Sequence, residues 1–95
     1  MLYSDFLLKI KEFKKDGARI AYVCAENDFN GNPQRLYYDL KNHKCYDEGY
    51  MGYHAVPEHL RKEAYEAEYN CKLNVTEELY AELLTLDDIV DVVFN

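Results

Sequence analysis

Apolar residues in this chain recur first at helical spacing and then in alternation, and each change of period marks a new element. Tyr3, Phe6, Leu7, Ile10 and Phe13 fall on one helical face, with Lys9, Lys11, Lys14 and Lys15 mostly on the other. Ser4 offers an N-cap and Gly17 a glycine just past the C-terminus, so the spacing predicts a helix over 4–16. Residues 19–25, RIAYVCA, are apolar on both alternating faces, the pattern of a central strand, with the first helix covering one side. Residues 27–33, NDFNGNP, are dense in turn formers and predict a loop. The burial habit of phenylalanine places Phe29 as a cap on the core. The other reading makes it an exposed contact residue.

Residues 34–40 alternate, with Leu36, Tyr38 and Leu40 on one face and Arg35, Tyr37 and Asp39 on the other. The chain then turns at Lys41-Asn42-His43-Lys44 into a second strand. A two-residue loop at Asn42-His43 would pair Leu40 with Cys45 and Tyr38 with Asp47. A three-residue loop would pair Tyr38 or Leu40 with Tyr46 and matches the apolar faces better. Gly49 and Gly52 loosen the strand end and put Tyr50, Met51 and Tyr53 on a bend. Pro57 suits the start of a second helix, whose stripe of Leu60, Ala64, Ala67 and Cys71 ends near Asn70. Asn74-Val75-Thr76-Glu77 has capping-box spacing ahead of a short helix marked by Val75, Leu79 and Leu83. Thr85-Leu86-Asp87-Asp88 offers a further cap, followed by Leu86, Ile89, Val90 and Val93 at helical spacing. The alternative over 89–94 is a strand. The expected fold is a single α+β domain over 1–95: an N-terminal helix, a three-stranded antiparallel sheet, and two or three C-terminal helices on one side of it.

Charge changes this picture more than composition does. The net charge is −7 over 95 residues, and it is unevenly spread. Five bases against three acids give residues 1–20 a balance of +2; residues 21–56 carry −2 and residues 57–95 carry −7. An acidic C-terminal half disfavours contact with DNA or an anionic membrane there. No apolar run approaches the roughly 20 residues a membrane helix needs, and no signal peptide is visible. Cys24, Cys45 and Cys71 are an odd set with no disulfide spacing, which predicts reduced thiols and a cytoplasmic location.

Chemistry finds little purchase. Ser4 is the only serine. His43, His54 and His59 lack zinc-ligand spacing with the cysteines, and no glycine-rich phosphate loop is present. No catalytic residue, metal or cofactor is expected, and the chain reads as an interaction protein. Tyr37, Tyr46, Tyr50 and Tyr53 are placed on the outer face and bend of the hairpin. There they serve cross-strand packing, a protein interface, or nucleobase stacking in a nucleotide-binding module.

The acids from 73 to 95 stand without a single Lys or Arg. Glu77, Glu78, Asp87 and Asp88 fall in first helical turns, where the dipole favours them. Glu82 and Asp91 have no such reason. On the preceding helix Glu58 and Lys62 neutralise each other, while Glu63, Glu66 and Glu68 are only partly compensated. Helical carboxylates three or four apart lie about 5–6 Å from each other, against one duplex phosphate per about 1.7 Å of axis. Such a row imitates part of a phosphate track; the plain alternative is a solvated acidic face. The partner-binding candidates are therefore Glu66, Glu68, Glu77, Glu78, Glu82, Asp87, Asp88 and Asp91, with Tyr46, Tyr50 and Tyr53 of the hairpin.

The succession SDFLLKIKEFKKDG, RIAYVCAE, RLYYDLKNHKCYDEGY, EAYEAEYN and TEELYAELL resembles the small acidic anti-CRISPR inhibitors of type II-A Cas9 from phages and prophages of Firmicutes. The likeness is one of architecture and charge. It implies a basic nucleic-acid-binding partner, with acidic side chains occupying the pocket that reads the PAM. The matching residues by character are Glu66, Glu68, Glu77, Glu78, Asp87, Asp88 and Asp91.

Overall fold

The structure is a computed structural model, and the residues it describes are 3–42 and 44–85. The fold is α+β. Helix α1 (Tyr3–Lys15) leads into strands β1 (Ile20–Ala25), β2 (Gln34–Asp39) and β3 (Cys45–Asp47). Two short 3-10 turns, Gly52–Ala55 and Glu58–Leu60, precede helix α2 (Arg61–Asn70). Strand β4 (Lys72–Asn74) and helix α3 (Glu77–Thr85) follow. The sheet order is β3-β2-β1-β4. The three antiparallel strands expected from the sequence are present, and a fourth, β4, lies parallel to β1 on its other side.

β1 is buried at all six positions, as its doubly apolar pattern requires. On one face Phe6 and Ile10 of α1 and Leu79, Tyr80 and Leu83 of α3 pack against Ala21, Val23, Leu36, Tyr38 and Leu73. On the other, Leu60, Ala64 and Ala67 of the α2 segment close over Ile20, Tyr22 and Tyr37. The helices thus cover both faces of the sheet, not the one side expected. The reason is β4: after α2 the chain passes through the sheet plane, held by Tyr22 N–H donating to Cys71 O at 2.9 Å and Val75 N–H donating to Cys24 O at 2.8 Å. Lys72-Leu73-Asn74 buries only Leu73. Three residues with one apolar position give too short a period to read from sequence.

Local signals set the helix ends. Gly17 sits at φ +85° past α1; its N–H donates to Lys14 O, and Ala18 N–H donates to Phe13 O. This is the 6→1, 5→2 bond pair of a Schellman ending. Ser4 is not the cap, since α1 begins at Tyr3. Thr76 caps α3, its Oγ1 accepting from Leu79 N–H at 3.2 Å; Asn74, the expected capping residue, belongs to β4.

The hairpin takes neither expected register. Tyr37 opposes Tyr46 and Tyr38 opposes Cys45. The fully buried Asp39 dictates this. Its carboxylate accepts from Arg19 Nε at 2.9 Å and Nη2 at 3.2 Å, and from the Lys41 and Asn42 N–H groups at 2.9 and 3.1 Å. Those two backbone bonds begin the turn immediately after Asp39 and leave no room for a later one.

Candidate interaction surface

The end of the sheet where β1 stops and β2 starts collects the exposed groups that the core does not use. Glu26 follows β1, Asp28 and Phe29 lie in the next loop, Asp47 ends β3 with Glu48 just beyond it, and Glu77 and Glu78 open α3. Among the described residues six carboxylates therefore lie at this loop end with two cations, Arg35 and Lys72. A cleft of about 720 Å³ is lined by Glu26, Arg35, Lys72, Asn74, Glu77 and Glu78. Lys14, Lys15, Lys41 and Lys44 lie at the opposite end, where α1 finishes and β2 turns into β3. Folding thus brings acids of the β-loops, far away in sequence, beside those of α3.

Three of the six are committed to structure. Asp28 accepts from the N–H groups of Asn30 and Asn32, both at 2.9 Å, and from Asn32 Nδ2 at 3.3 Å. The backbone bond from Asn32 holds its carboxyl below the usual carboxylate range. Asp47 accepts from Gly49 N–H at 3.3 Å and from the Tyr80 hydroxyl at 3.4 Å. Glu48 accepts from the Tyr22 hydroxyl. Glu26, Glu77 and Glu78 are exposed and form no ion pair among the described residues.

The sequence-predicted acids divide between the two faces. Glu66 and Glu68 belong to α2; Glu77, Glu78 and Glu82 belong to α3, across the sheet. Glu66 is exposed beside Asp16 and Arg19 in a separate cleft of about 510 Å³. Glu68 is half-buried and accepts from the Tyr37 hydroxyl. Glu82 is exposed on α3 close enough to raise the pKa of Tyr3 after burial has done so. Asp87, Asp88, Asp91, the cap at 85–88 and the choice of helix or strand over 89–94 lie outside the described residues, as does His43.

The tyrosines do not form one outer surface. Tyr37 is fully buried beneath α2, its ring 4.8 Å from that of Tyr22. Tyr46 and Tyr53 are half-buried against the same cluster. Tyr53 stacks on His54 at 4.4 Å and meets Tyr65 edge-on at 5.7 Å, which in turn meets Tyr69. Tyr50 alone of the hairpin set stands out, 82% exposed, beside Met51 at 61%. Phe29 departs from the expected core cap. It does not cap the core but is 102% exposed at the loop tip. The density of Asp, Asn and Gly around it was the available signal, because a loop that closes on its own backbone leaves its middle side chain outside.

Burial pushes the phenols of Tyr22, Tyr37, Tyr38 and Tyr80 well up. Glu48 and Glu68, as acceptors for Tyr22 and Tyr37, push the same way. A phenol whose folded pKa lies above its unfolded value of about 10 contributes stability in full below that pH and loses it as pH rises toward the folded value. Spectrophotometric titration should show these four ionising only in step with loss of far-ultraviolet circular dichroism.

Burial likewise raises the thiols of Cys24 and Cys71, the latter helped by Asp16, opposite to what an activated nucleophile needs. None of the three cysteines forms a disulfide. Among the described residues no three His, Cys, Asp or Glu side chains converge as a metal site. None of their helices is long and apolar enough to cross a membrane. No protein-family model matches the chain, and comparison with curated proteins and with solved structures finds no significant match.

Proposed function

We propose that this is a small acidic interaction protein of phage or mobile-element origin that acts in the host cytoplasm. It binds a basic nucleic-acid-handling protein and occupies part of that partner's DNA-binding surface. The observation that carries the reading is the loop end itself: among the described residues, six carboxylates against two cations, with Glu26, Glu77 and Glu78 exposed and unspent on internal ion pairs. A negative surface of this kind steers a basic partner and competes for the sites that would hold phosphates. The contact is built from two loops and a helix start in place of a single helical row. The resemblance to anti-CRISPR proteins makes a type II-A Cas9 the first partner to expect.

The test is an affinity capture from a Firmicute lysate at low and high salt, followed by binding of the purified captured protein in competition with duplex DNA. Binding should fall steeply with salt and be displaced by DNA. Reversing Glu26, Glu77 and Glu78 to Lys should weaken it by roughly 10- to 10³-fold at low salt and flatten the salt dependence. Glu26→Lys alone should leave melting unchanged, while Lys at 77 and 78 opposes the α3 dipole and should lower melting by several degrees, so affinity is compared well below the melt. A captured partner that DNA does not displace would remove the mimicry.

A further inference from the structure

The most anomalous side chain is Phe29, and its loop is too well constructed for its exposure to be an accident of slack chain. Besides the three bonds to the Asp28 carboxylate, Asp28 N–H donates to Asn32 O at 3.0 Å and Gly31 N–H donates to Asp28 O at 2.9 Å. Gly31 takes φ +79°, a conformation that favours glycine. Gln34 Nε2 donates to Glu26 O at 2.6 Å and closes the base. The Tyr50 hydroxyl donates to Asn32 Oδ1, tying the neighbouring 49–51 turn to this loop. Two loops joined by that bond therefore carry three exposed apolar side chains, Phe29, Tyr50 and Met51.

Leaving a phenylalanine in water forgoes the free energy that burial would provide. A loop ordered in advance recovers that on binding without a further ordering cost. Aromatic residues and methionine are enriched at protein interfaces, where central anchors fill fully desolvated pockets. The surroundings select the partner: Glu26, Asp28, Asp47 and Glu48 lie on the segments flanking these side chains, so the complementary surface is basic.

We propose that Phe29 is an anchor that inserts into an apolar socket within the basic surface of the partner protein, with Tyr50 and Met51 sealing its rim. This rests on the reading that the partner is a basic protein and adds an apolar determinant to it. Phe29 makes no core contact, so Phe29→Ala should leave the melting temperature unchanged.

The experiment compares the wild type, Phe29→Ala and a p-benzoylphenylalanine substitution at position 29. Photocrosslinking is done in the Firmicute lysate and affinity is measured on the purified captured protein. The expected result is a crosslink mapping to an apolar site flanked by Lys or Arg. Phe29→Ala should lose affinity by about 30-fold or more at every salt concentration, with the salt slope unchanged. Unchanged affinity for Phe29→Ala overturns the anchor and leaves the acidic surface standing. Loss of affinity with no salt dependence in the wild type keeps the anchor and overturns the DNA mimicry. A crosslink only to a second copy of this chain or to lipid overturns the proposed occupant. Capture of nothing by the wild type overturns both readings.

Discussion

Replacing Arg19 with methionine is expected to cost about 3–5 kcal/mol, the range for breaking a buried ion pair by removing one partner. The whole domain has about 5–14 kcal/mol to lose. The two sides of the pair are unequal. Asp39 is 0% exposed and Arg19 27%. Removing Arg19 strands a carboxylate that water cannot reach. Removing Asp39 leaves a guanidinium that can turn partly to solvent, and frees the Lys41 and Asn42 N–H groups at an exposed turn. Arg19→Met should therefore destabilise more than Asp39→Ala. The double variant should recover part of the loss, because no charge is then left buried. Urea denaturation of the three variants reads this order directly; equal single-variant losses would mean the pair is better solvated than the structure shows.

The same pair contributes to the loss of stability in acid. Burial alone would raise the Asp39 carboxyl, but Arg19 and the two turn N–H groups outweigh it and hold it below its ordinary value. A carboxyl lowered on folding contributes stability above its unfolded value of about 3.9 and loses it as pH falls through the folded one. Asp39→Ala should lack that part of the acid-side decline.

The second large effect is at Tyr37. Truncation to Ala removes a fully buried ring from between β1, β2 and α2 and should cost about 3–5 kcal/mol. Tyr37→Phe keeps the ring and deletes only the donor to Glu68. A hydrogen bond to a charged group is worth about 1.5–3 kcal/mol. Glu68 is half-exposed and can take a water instead, so the loss should fall at or below the bottom of that range. Thermal melts of the two variants separate the ring from its hydroxyl. If Tyr37→Phe costs as much as Tyr37→Ala, the polar seam and not the packing holds α2 down.

These positions also show where the sequence was legible. The Phe6–Ile10 stripe, the doubly apolar β1 and the Leu79–Leu83 stripe were all readable, because each is a local period repeated several times. Strand β4 was not, since its evidence is one leucine and its partner lies some fifty residues away. The hairpin register was hidden for a related reason: the residue that fixes it, Asp39, is held by Arg19 twenty positions earlier. The acidic character of the surface was legible as composition. Its location was not, because the sheet brings Glu26 beside Glu77 and Glu78 while parting them from Glu66. The burial habit of phenylalanine misplaces Phe29, because the Asp28 carboxylate closes the loop on its own backbone and leaves the ring outside.

Among the described residues the sheet is bordered by its two three-residue strands, β3 and β4, with the long apolar β1 between β2 and β4. Short borders offer few free backbone groups to a neighbouring molecule. The hexapeptide IAYVCA, by contrast, is uncharged, proline-free and β-prone, the composition that nucleates cross-β stacking. It reaches solvent only when the sheet comes apart. Aggregation of this protein should therefore track global unfolding and not native-state association. A variant such as Arg19→Met, once it falls below the threshold for folding, should leave solution as aggregate instead of persisting as a soluble open chain.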